Sequence, residues 1–404
     1  MEEAVISKII ATSEKLIGKA KEYKYKRYLY EIIRKTSQEF FIGFYGMRGI
    51  GKTTLLLQLA EKTKDSVYFS ADSTHLRPFD LYEIISELKK KGYKTIYVDE
   101  IQFKDHWKQD LKTIYDESEV RVIFTGSSAI DIKKGADLSR RVLLYELSPL
   151  TFSEYLIIKR GIKAPFISYK QLISKASELA RQNAGLMEYL PEYLKEGGVA
   201  YPGTGVETYL ALRSAVDRAI SHDLAVMKDV DVSYQNLAYK FLYFTASSKP
   251  LEISYSSIAN HLEISKNTAK LLVYYLERAG LVYSFLPCLK GSSLVRKEPK
   301  VLLPVPLRSY FNWEIGKEPD KGALREDFFV QHMKPDCYLK GKRGEKTPDY
   351  LVKGKAFEVG GASKTRSQNP DFLVLDGFPV GEKKIPLFLI GLINPKEFAI
   401  RSVK

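Results

Sequence analysis

Five short apolar runs, each bounded by polar or turn-forming residues, mark the first 150 positions of the chain. Between them lie stretches with the helical spacing of apolar residues, such as TTLLLQLAEK and FDLYEIISELKKK. Continuous apolar strands that alternate with helices are typical of a parallel sheet covered on both faces. The pattern therefore predicts an α/β fold with a parallel five-stranded sheet, whose strand runs are FFIGFY, SVYFS, TIYVDE, VRVIFTG and VLLYEL.

The pattern changes beyond Pro149, and three further regions follow the predicted core at 1–148. Residues 149–230 are helical in pattern and broken by glycines, which predicts a helical lid. Residues 231–302 contain YSSIANHLEIS, a short turn, KNTAKLLVYYLERAG and the extended LVYSF, which predicts a winged helix-turn-helix. Residues 303–404 combine the helical ALREDFFVQHM with extended DYLVKGKAFEVGG, FLVLDG and IPLFLIGL, which predicts a mixed α/β domain.

Composition is that of a folded protein with an excess of positive charge. Hydrophobic residues make up 45% and charged residues 28%, and the net charge is +14. Residues 285–404 hold 22 Lys and Arg against 14 Asp and Glu, so much of the excess lies near the carboxyl end. A positive field attracts nucleic acid or anionic lipid. A Lys-rich surface of the kind found in thermophile proteins is the alternative explanation.

The two cysteines, Cys288 and Cys337, are far apart and lack CxxC spacing. We therefore expect neither a disulfide framework nor a cysteine-based zinc site, and a reducing compartment fits. No apolar run approaches the ~18 residues that span a bilayer, and the amino terminus lacks the pattern of a signal peptide. These observations predict a soluble cytoplasmic protein without a membrane partner.

The segment GMRGIGKT matches the phosphate-loop pattern GxxxxGK[ST] completely and stands between a predicted strand and a predicted helix. The backbone N–H groups of such a loop surround phosphate oxygens. Lys52 is expected to contact the β- and γ-phosphates, and Thr53 to bind Mg²⁺ through its hydroxyl. The predicted nucleotide-binding residues are Gly46, Met47, Arg48, Gly49, Ile50, Gly51, Lys52, Thr53 and Thr54.

The run TIYVDE ends in two acids that are expected at the carboxyl edge of the sheet, beside the phosphate loop. Asp99 is a candidate ligand of Mg²⁺, and Glu100 a candidate base that orients and deprotonates the attacking water. FTGSSA follows the next strand, so Thr125 or Ser127 could sense the γ-phosphate, although a helix cap is an alternative role for Ser127. Arg140 and Arg141 are candidates for the cation that stabilises the transition state, or else a solvated pair.

The carboxyl-terminal regions carry two weaker candidate sites. Lys266, Asn267 and Lys270 open the second helix of the helix-turn-helix and could contact DNA or a protein, with Arg296, Lys297 and Lys300 extending the basic patch. A nuclease site of the PD-(D/E)xK kind needs an acid followed by Glu-x-Lys. Asp349 and Glu358 supply the acids, with Glu326 as an upstream acid. However, Gly360 stands where lysine is required, and Lys364 is the nearest replacement.

Taken together, GMRGIGKTTLL, VDEIQ, FTGSSA, SRRVLLYELSPLTFSEYL and AFEVGG resemble the AAA+ ATPases of archaea and bacteria that join a P-loop core to a winged helix and a restriction-endonuclease-like tail. The resemblance implies ATP or ADP and Mg²⁺ as cofactors, and places Arg141 at the family's arginine position. It leads us to expect an ATP-hydrolysing protein that acts on DNA through its winged helix, with assembly into a homo-oligomer left open. An ATP-dependent regulatory switch that binds protein partners and turns over slowly is the alternative. We expect the tail to be inactive as a nuclease.

Overall fold

The computed structural model of the protein describes residues 2–126, 138, 140–201, 203–223, 232–250, 253–288, 298–340, 347–364, 369–379 and 381–399. The chain divides into two compact units, Met1–Leu147 and Ser148–Lys404. The predicted boundary after residue 148 falls beside this division. The further boundaries predicted at 230 and 302 stay predictions.

The first unit is built on a five-stranded sheet whose strands run parallel in the order β2-β3-β4-β1-β5. The predicted five-stranded parallel sheet is therefore confirmed. The interiors of the four strands other than Val142–Glu146 are buried, which explains why these strands show as unbroken apolar runs in the sequence. The strands are β1 Phe41–Tyr45, β2 Ser66–Ser70, β3 Thr95–Asp99, β4 Arg121–Gly126 and β5 Val142–Glu146.

The described residues of the first unit include five α-helices. They are α1 Glu3–Ala20, α2 Leu29–Lys35, α3 Lys52–Glu61, α4 Leu81–Lys90 and α5 Trp107–Glu117, with 3₁₀ turns at Thr74–Leu76 and Ile101–Phe103. Helix α1 packs against α3 and β2, and α4 packs against α5. Helix α4 shows why these segments are helical: Asp80 caps its amino terminus by accepting from the Glu83 amide, while Ile84, Ile85 and Leu88 face the core.

The second unit begins with helices. They are α6 Phe152–Arg160, α7 Tyr169–Gln182, α8 Leu190–Glu196, α9 Val206–Arg218, α10 Val232–Ser247, α11 Tyr255–Leu262 and α12 Lys266–Arg278, with a 3₁₀ helix at Ala184–Tyr189 and a π-helical turn at Ala219–Asp223. Helices α11 and α12 are joined by a short turn. Strands β6 Tyr283–Phe285 and β7 Lys300–Leu302 then pair in antiparallel fashion.

The rest of the second unit contains a mixed sheet in the order β12-β11-β10-β9-β8. Its strands are β8 Cys337–Tyr338, β9 Tyr350–Val352, β10 Lys355–Gly360, β11 Phe372–Leu375 and β12 Lys384–Pro386, and its helices are α13 Leu307–Glu314, α14 Lys321–Met333, α15 Leu387–Ile390 and α16 Lys396–Ala399. Pairings are antiparallel from β8 to β10 and parallel from β10 to β12.

Helices from the predicted lid share one hydrophobic core with this sheet. Phe152 of α6 lies against Phe328 of α14, with ring centroids 6.4 Å apart. The Tyr169 hydroxyl of α7 donates to the Val352 carbonyl over 3.0 Å. The lid helices and the carboxyl-terminal sheet, which are distant in sequence, therefore bury each other's apolar side chains. A local sequence pattern cannot indicate such packing.

Two expectations about this unit are wrong. IPLFLIGL is not a strand along its length, because β12 ends at Pro386 and Leu387–Ile390 forms α15. A continuous buried apolar run has no period that separates strand from helix. In addition, Cys288 and Cys337 form a disulfide. The Tyr338 amide donates to the Leu286 carbonyl and the Cys288 amide to the Tyr338 carbonyl, so backbone pairing brings together cysteines whose spacing gives no signal.

Within the ranges that the structure describes, every helix is too short or too polar to cross a membrane.

Candidate functional site

The phosphate loop connects the end of β1 to the start of α3 in the first unit. Gly49 and Gly51 have φ angles of 81° and 91°, in the left-handed region where a side chain is disfavoured. Gly46 is constrained differently, because an added Cβ would collide with the Leu147 carbonyl oxygen. The loop conformation thus explains the glycines of the motif, and its last residue leads into a helix amino terminus that favours anions.

Lys52 is buried at the first position of α3, and its side chain folds back over the loop. Its ammonium donates to the carbonyls of Gly46 over 2.8 Å and Met47 over 3.1 Å. The lysine is therefore held at the centre of the loop by backbone acceptors. Phosphate oxygens would be stronger acceptors for the same donors.

A second set of contacts supports the loop from the amino-terminal side, and sequence reasoning missed it. The buried Arg27 guanidinium donates to the Ile50 carbonyl. Gln58 of α3 donates to the carbonyls of Tyr23 over 3.1 Å and Tyr25 over 2.9 Å. The only signal in the sequence is the cluster YKYKRY, which carries no known spacing.

Asp99 lies at the end of β3, 3% exposed, where three hydroxyl groups converge on its carboxylate. Thr53 donates over 2.6 Å, Tyr68 donates over 3.1 Å, and Thr125 donates to the other carboxylate oxygen. Burial raises the pKa of Asp99, and the adjacent charge of Glu100 raises it further. The structure thus brings together Thr53, Asp99 and Thr125. Tyr68, in β2, is an addition that sequence reasoning missed.

The carboxylate and hydroxyl at this point fit a magnesium ion by their chemistry. Magnesium prefers oxygen ligands, keeps several waters, and is completed by substrate phosphates in nucleotide sites. Asp99 and Thr53 supply two such oxygens beside the loop. Among the residues that the structure describes, no group of three His, Cys, Asp or Glu side chains could hold a metal alone. Waters and the phosphate oxygens of a bound nucleotide would supply the remaining ligands of such an ion.

Glu100 follows Asp99 with a left-handed φ of 51°. Its amide donates to the Thr125 hydroxyl over 3.0 Å, so Thr125 links the backbone of one acid to the carboxylate of the other. The Glu100 carboxylate accepts from Arg48 over 3.4 Å and from Gln102. The sequence predicts Arg48 as a nucleotide-binding residue of the loop, and its pairing with Glu100 is a contact that the motif does not indicate. These two donors hold the candidate base.

The two candidate arginines lie away from this site within the first unit. Phe41 and Val142 pair at the starts of the parallel strands β1 and β5, whereas the phosphate loop follows the end of β1. Arg141 therefore precedes β5 at the opposite edge of the sheet, one strand length or roughly 16 Å away. It forms an ion pair with Asp116, with both nitrogen–oxygen distances 2.9 Å. Arg140 is exposed, and Ser127 lies outside the described residues.

In the second unit, the predicted nuclease residues lie near one another. Lys364 forms an ion pair with the buried Glu358. Burial raises the pKa of Glu358 to about 7, and the charge of Asp349 adds to the effect. Burial also raises the pKa of Asp349, as does the charge of Glu326. Lys300 forms an ion pair with Glu326. Lysines thus pair with two of the three candidate acids, Glu358 and Glu326, whereas the Asp349 carboxylate accepts from the Val359 amide.

The predicted contact residues on α12 also have partners. Lys266 pairs with Glu298 over 2.5 Å and donates to the Ser256 hydroxyl over 3.0 Å. The Lys270 ammonium lies 5.8 Å from the centre of the Tyr255 ring. Asn267 is exposed, while Arg296 and Lys297 lie outside the described residues.

Comparisons with known proteins agree with the geometry of the first unit. Residues 38–156 match the model of an AAA domain. An uncharacterized protein of Methanocaldococcus jannaschii is 30% identical over 353 residues, covering 78% of this chain and 74% of the relative. An uncharacterized protein of Haemophilus influenzae is 22% identical over 275 residues, covering 64% of this chain and 65% of the relative.

Solved structures show a weaker similarity. The Thermotoga maritima RuvB Holliday junction branch migration motor is 12% identical, with a TM-score of 0.28, over 76% of this chain and 95% of that one. AMPPCP-bound DnaA from Aquifex aeolicus is 18% identical, with a TM-score of 0.27, over 64% of this chain and 90% of that one. TM-scores this low add no information about the fold or the function beyond the match to the AAA domain.

The phosphate loop, the parallel sheet and the AAA domain match define the class as an AAA+ P-loop ATPase. Within this class, the chain belongs to the family of the Methanocaldococcus jannaschii protein.

Proposed function

We propose that the first unit binds ATP with Mg²⁺ and hydrolyses it. The observation that carries this proposal is the meeting of Thr53, Asp99 and Thr125 beside the loop that holds Lys52. In this assignment Lys52 binds the β- and γ-phosphates, and Thr53 and Asp99 hold the metal. When bound, magnesium would neutralise the charge that develops on the phosphates.

Glu100 is the proposed general base, and it must leave its present partners to act. While Arg48 and Gln102 donate to its carboxylate, fewer acceptor positions of Glu100 are open to a water. Arg48 lies in the phosphate loop itself, next to the Met47 carbonyl that accepts from Lys52. Nucleotide phosphates would compete for Arg48 and release Glu100 for water activation.

The test of this proposal is ATP turnover with Mg²⁺, compared with turnover in the presence of a chelator. Wild-type protein is expected to release phosphate only with the metal, and Lys52→Ala to release none. Equal turnover by Lys52→Ala and wild type would remove the loop from the mechanism.

We further propose that the chain acts on DNA. Helices α11 and α12 with the β6–β7 pair have the order of a winged helix, and the net charge of +14 supports contact with a polyanion. Asn267 is exposed at the start of α12, whereas Lys266 would have to exchange Glu298 for a phosphate. Replacement of one ion pair by another costs little at a solvent-exposed position.

Salt-dependent DNA binding tests this part. Lys266→Gln combined with Lys270→Gln is expected to weaken binding and to reduce the slope of log K against log salt by about 2. Lys163→Gln combined with Lys170→Gln removes the same charge from exposed positions elsewhere in the second unit and serves as the control. Equal losses in both double variants would indicate a general charge effect and contradict a specific surface.

A regulatory switch with slow turnover is the second candidate function. The observation that favours it is the double restraint of Glu100 by Arg48 and Gln102. DNA-stimulated turnover would favour the first candidate, whereas ATP-dependent assembly without any DNA effect would favour the switch.

We propose that the tail is nuclease-like but inactive, because Gly360 stands where the Glu-x-Lys pattern requires lysine. Lys364, the nearest replacement, comes from outside the pattern and forms an ion pair with Glu358. Cleavage of plasmid or branched DNA with Mg²⁺ or Mn²⁺ that is lost in Glu358→Ala would overturn this assignment.

A further inference from the structure

A pocket opens on the second unit beside the nuclease-like residues: Arg325 of its lining precedes Glu326 in α14 and lies close to Gly361. The pocket has a volume of about 860 Å³ and is formed by the 3₁₀ helix Ala184–Tyr189 and helices α8, α9, α13 and α14, together with the turn at Asp376 and Gly377. This volume lies within the range of about 300–1,000 Å³ that small-molecule sites occupy.

The body of the pocket is apolar. Leu190 and Leu194 of α8, Leu324 of α14 and the buried Leu387 all contribute to the lining. Ser309 lies in the lining too, but its hydroxyl already donates to the Leu194 carbonyl over 2.8 Å. Contact between water and this apolar surface is unfavourable. A ligand with an apolar body would therefore be stabilised by removing the surface from water.

An aromatic wall stands at one side of the pocket. Tyr209 and Trp313 lie with ring centroids 5.1 Å apart and planes tilted by 43°. Tyr209 is nearly buried and is fixed by its hydroxyl, which donates to the Lys195 carbonyl over 3.1 Å. Trp313, by contrast, is 43% exposed. A rigid support behind an exposed indole provides a face on which a flat ring can stack.

The charged residues around the pocket favour an anion. Arg325 pairs with Asp376 over 2.7 Å, so these two charges offset each other. Lys195, Lys317 and Lys321 also line the pocket and are exposed, with Glu318 as the remaining acid. Three ammonium groups against one carboxylate leave a positive excess at the opening.

We propose that this pocket binds a small organic anion, with a flat apolar body against Trp313 and the leucines and its charged group toward Lys317 and Lys321. The shape argues for a small molecule: the apolar surface lies in a recess of limited volume, and the cations stand at its rim. The charged group is a carboxylate or a phosphate, both of which lysine recognises.

The protein contains two tryptophans, which makes the site directly observable. Trp107 is 6% exposed in the first unit, and Trp313 lines the pocket. In a full-length Trp107→Phe background, emission from tryptophan reports on Trp313. The probes are 8-anilinonaphthalene-1-sulfonate and its neutral counterpart N-phenyl-1-naphthylamine, which share the same body and differ in the sulfonate.

The sulfonate probe is expected to quench Trp313 and to bind about tenfold more tightly than the neutral probe, because its charge reaches the lysines. Lys317→Gln with Lys321→Gln should abolish that difference without weakening the neutral probe. The matched control, Lys163→Gln with Lys170→Gln, should retain it. Leu190→Glu, which places a negative charge in the half-buried wall, should reduce binding of the sulfonate probe while thermal melting shows that the protein is folded.

Displacement of the sulfonate probe then identifies the charged group. Displacement by 2-naphthoate supports a carboxylate ligand, and displacement by AMP supports a phosphate ligand. Failure of both to displace it overturns the proposal. Equal affinity of the two probes, or sulfonate binding that leaves Trp313 emission unchanged, also overturns it.

Discussion

Thr125 is the residue through which the two acids of the candidate site are connected. Its hydroxyl donates to Asp99 and accepts from the Glu100 amide, and the residue is fully buried. One hydroxyl therefore sets the positions of the proposed metal ligand and the proposed base at once.

Thr125→Val keeps the shape of the side chain but leaves a buried amide and a carboxylate oxygen without this partner. We expect a loss of about 1–3 kcal/mol in the free energy of unfolding and a fall in ATP turnover. Thr125→Ser retains the hydroxyl and should retain both properties. The measurements are denaturant unfolding and steady-state phosphate release, and a Val variant as active and stable as wild type would refute the linking role.

His332 is expected to make the free energy of unfolding of the second unit depend on pH. The Phe152 amide donates to its Nε2 over 3.0 Å, so this nitrogen must be the acceptor and Nδ1 carries the proton toward the Phe328 carbonyl, 2.8 Å away. Burial lowers the pKa of His332 from 6.5 to about 4. A second proton on Nε2 would face the Phe152 amide donor, and the Tyr193 hydroxyl lies 3.3 Å from the same nitrogen.

Stability of the second unit should therefore fall with pH between 6.5 and about 4. In this window the unfolded chain binds a proton on His332 that the folded chain does not, so the free energy of unfolding decreases as pH falls. The expected loss is about 2–4 kcal/mol. His332→Gln should be less stable at neutral pH but should lose this part of the pH dependence. Parallel pH profiles for variant and wild type would contradict the assignment.

At the residue scale, the sequence predicted the groups that a linear motif contains. The phosphate loop, Asp99 and Thr125 follow strands whose carboxyl ends meet at one edge, so their proximity could be inferred. Arg27 and Tyr68 could not, because their contacts with the loop and with Asp99 depend on side-chain packing. The pairing of Arg48 with Glu100 could not be predicted either, because the phosphate-loop motif allows any residue at position 48.

Among the elements, buried parallel strands gave the clearest pattern. Each strand of the first unit is a short apolar run that ends in a turn, so the five-stranded sheet was predictable. The failure at IPLFLIGL has the same origin, since a fully buried run looks alike in strand and helix. The packing of α6 and α7 against the carboxyl-terminal sheet depends on contacts across about two hundred residues, which no local period records.

The disulfide connects two such elements. Cys288 follows β6 and Cys337 begins β8, across a sequence separation of 49 residues. Closing a loop of this length restricts the unfolded chain, so Cys337→Ser should lower the free energy of unfolding of oxidised protein by about 2–4 kcal/mol.

The control for this prediction is the reduced protein. Under dithiothreitol, wild type and Cys337→Ser should unfold at nearly the same denaturant concentration. A difference that persists after reduction would assign the effect to packing of the sulfur, and no difference before reduction would mean that the bond does not stabilise the unit.

For the whole molecule, the position of Arg141 has a consequence for assembly. An arginine at the edge of the sheet opposite the phosphate loop cannot reach the nucleotide of its own first unit without leaving Asp116 and crossing the sheet. If Arg140 or Arg141 stabilises the transition state, it does so on a neighbouring copy. Turnover per chain should then rise with protein concentration.

Mixing two inactive variants tests this arrangement. Lys52→Ala retains the arginines, and Arg140→Ala with Arg141→Ala retains the phosphate loop, so a mixture should regain turnover that neither shows alone. The control is a mixture of Lys52→Ala with a triple variant that carries Lys52→Ala, Arg140→Ala and Arg141→Ala. Turnover that is independent of concentration, together with failure of the mixture, would argue against arginines acting between copies.

The central claim is that the site at Gly46–Thr53, Asp99 and Glu100 hydrolyses ATP, and Glu100→Gln tests it most directly. Glutamine keeps the size of the side chain and an oxygen toward Arg48, but it cannot accept a proton from water. Binding of a fluorescent ATP analogue with Mg²⁺, measured together with phosphate release, should show nucleotide affinity within about threefold of wild type and turnover reduced at least about a hundredfold. Unchanged turnover in Glu100→Gln would contradict the account.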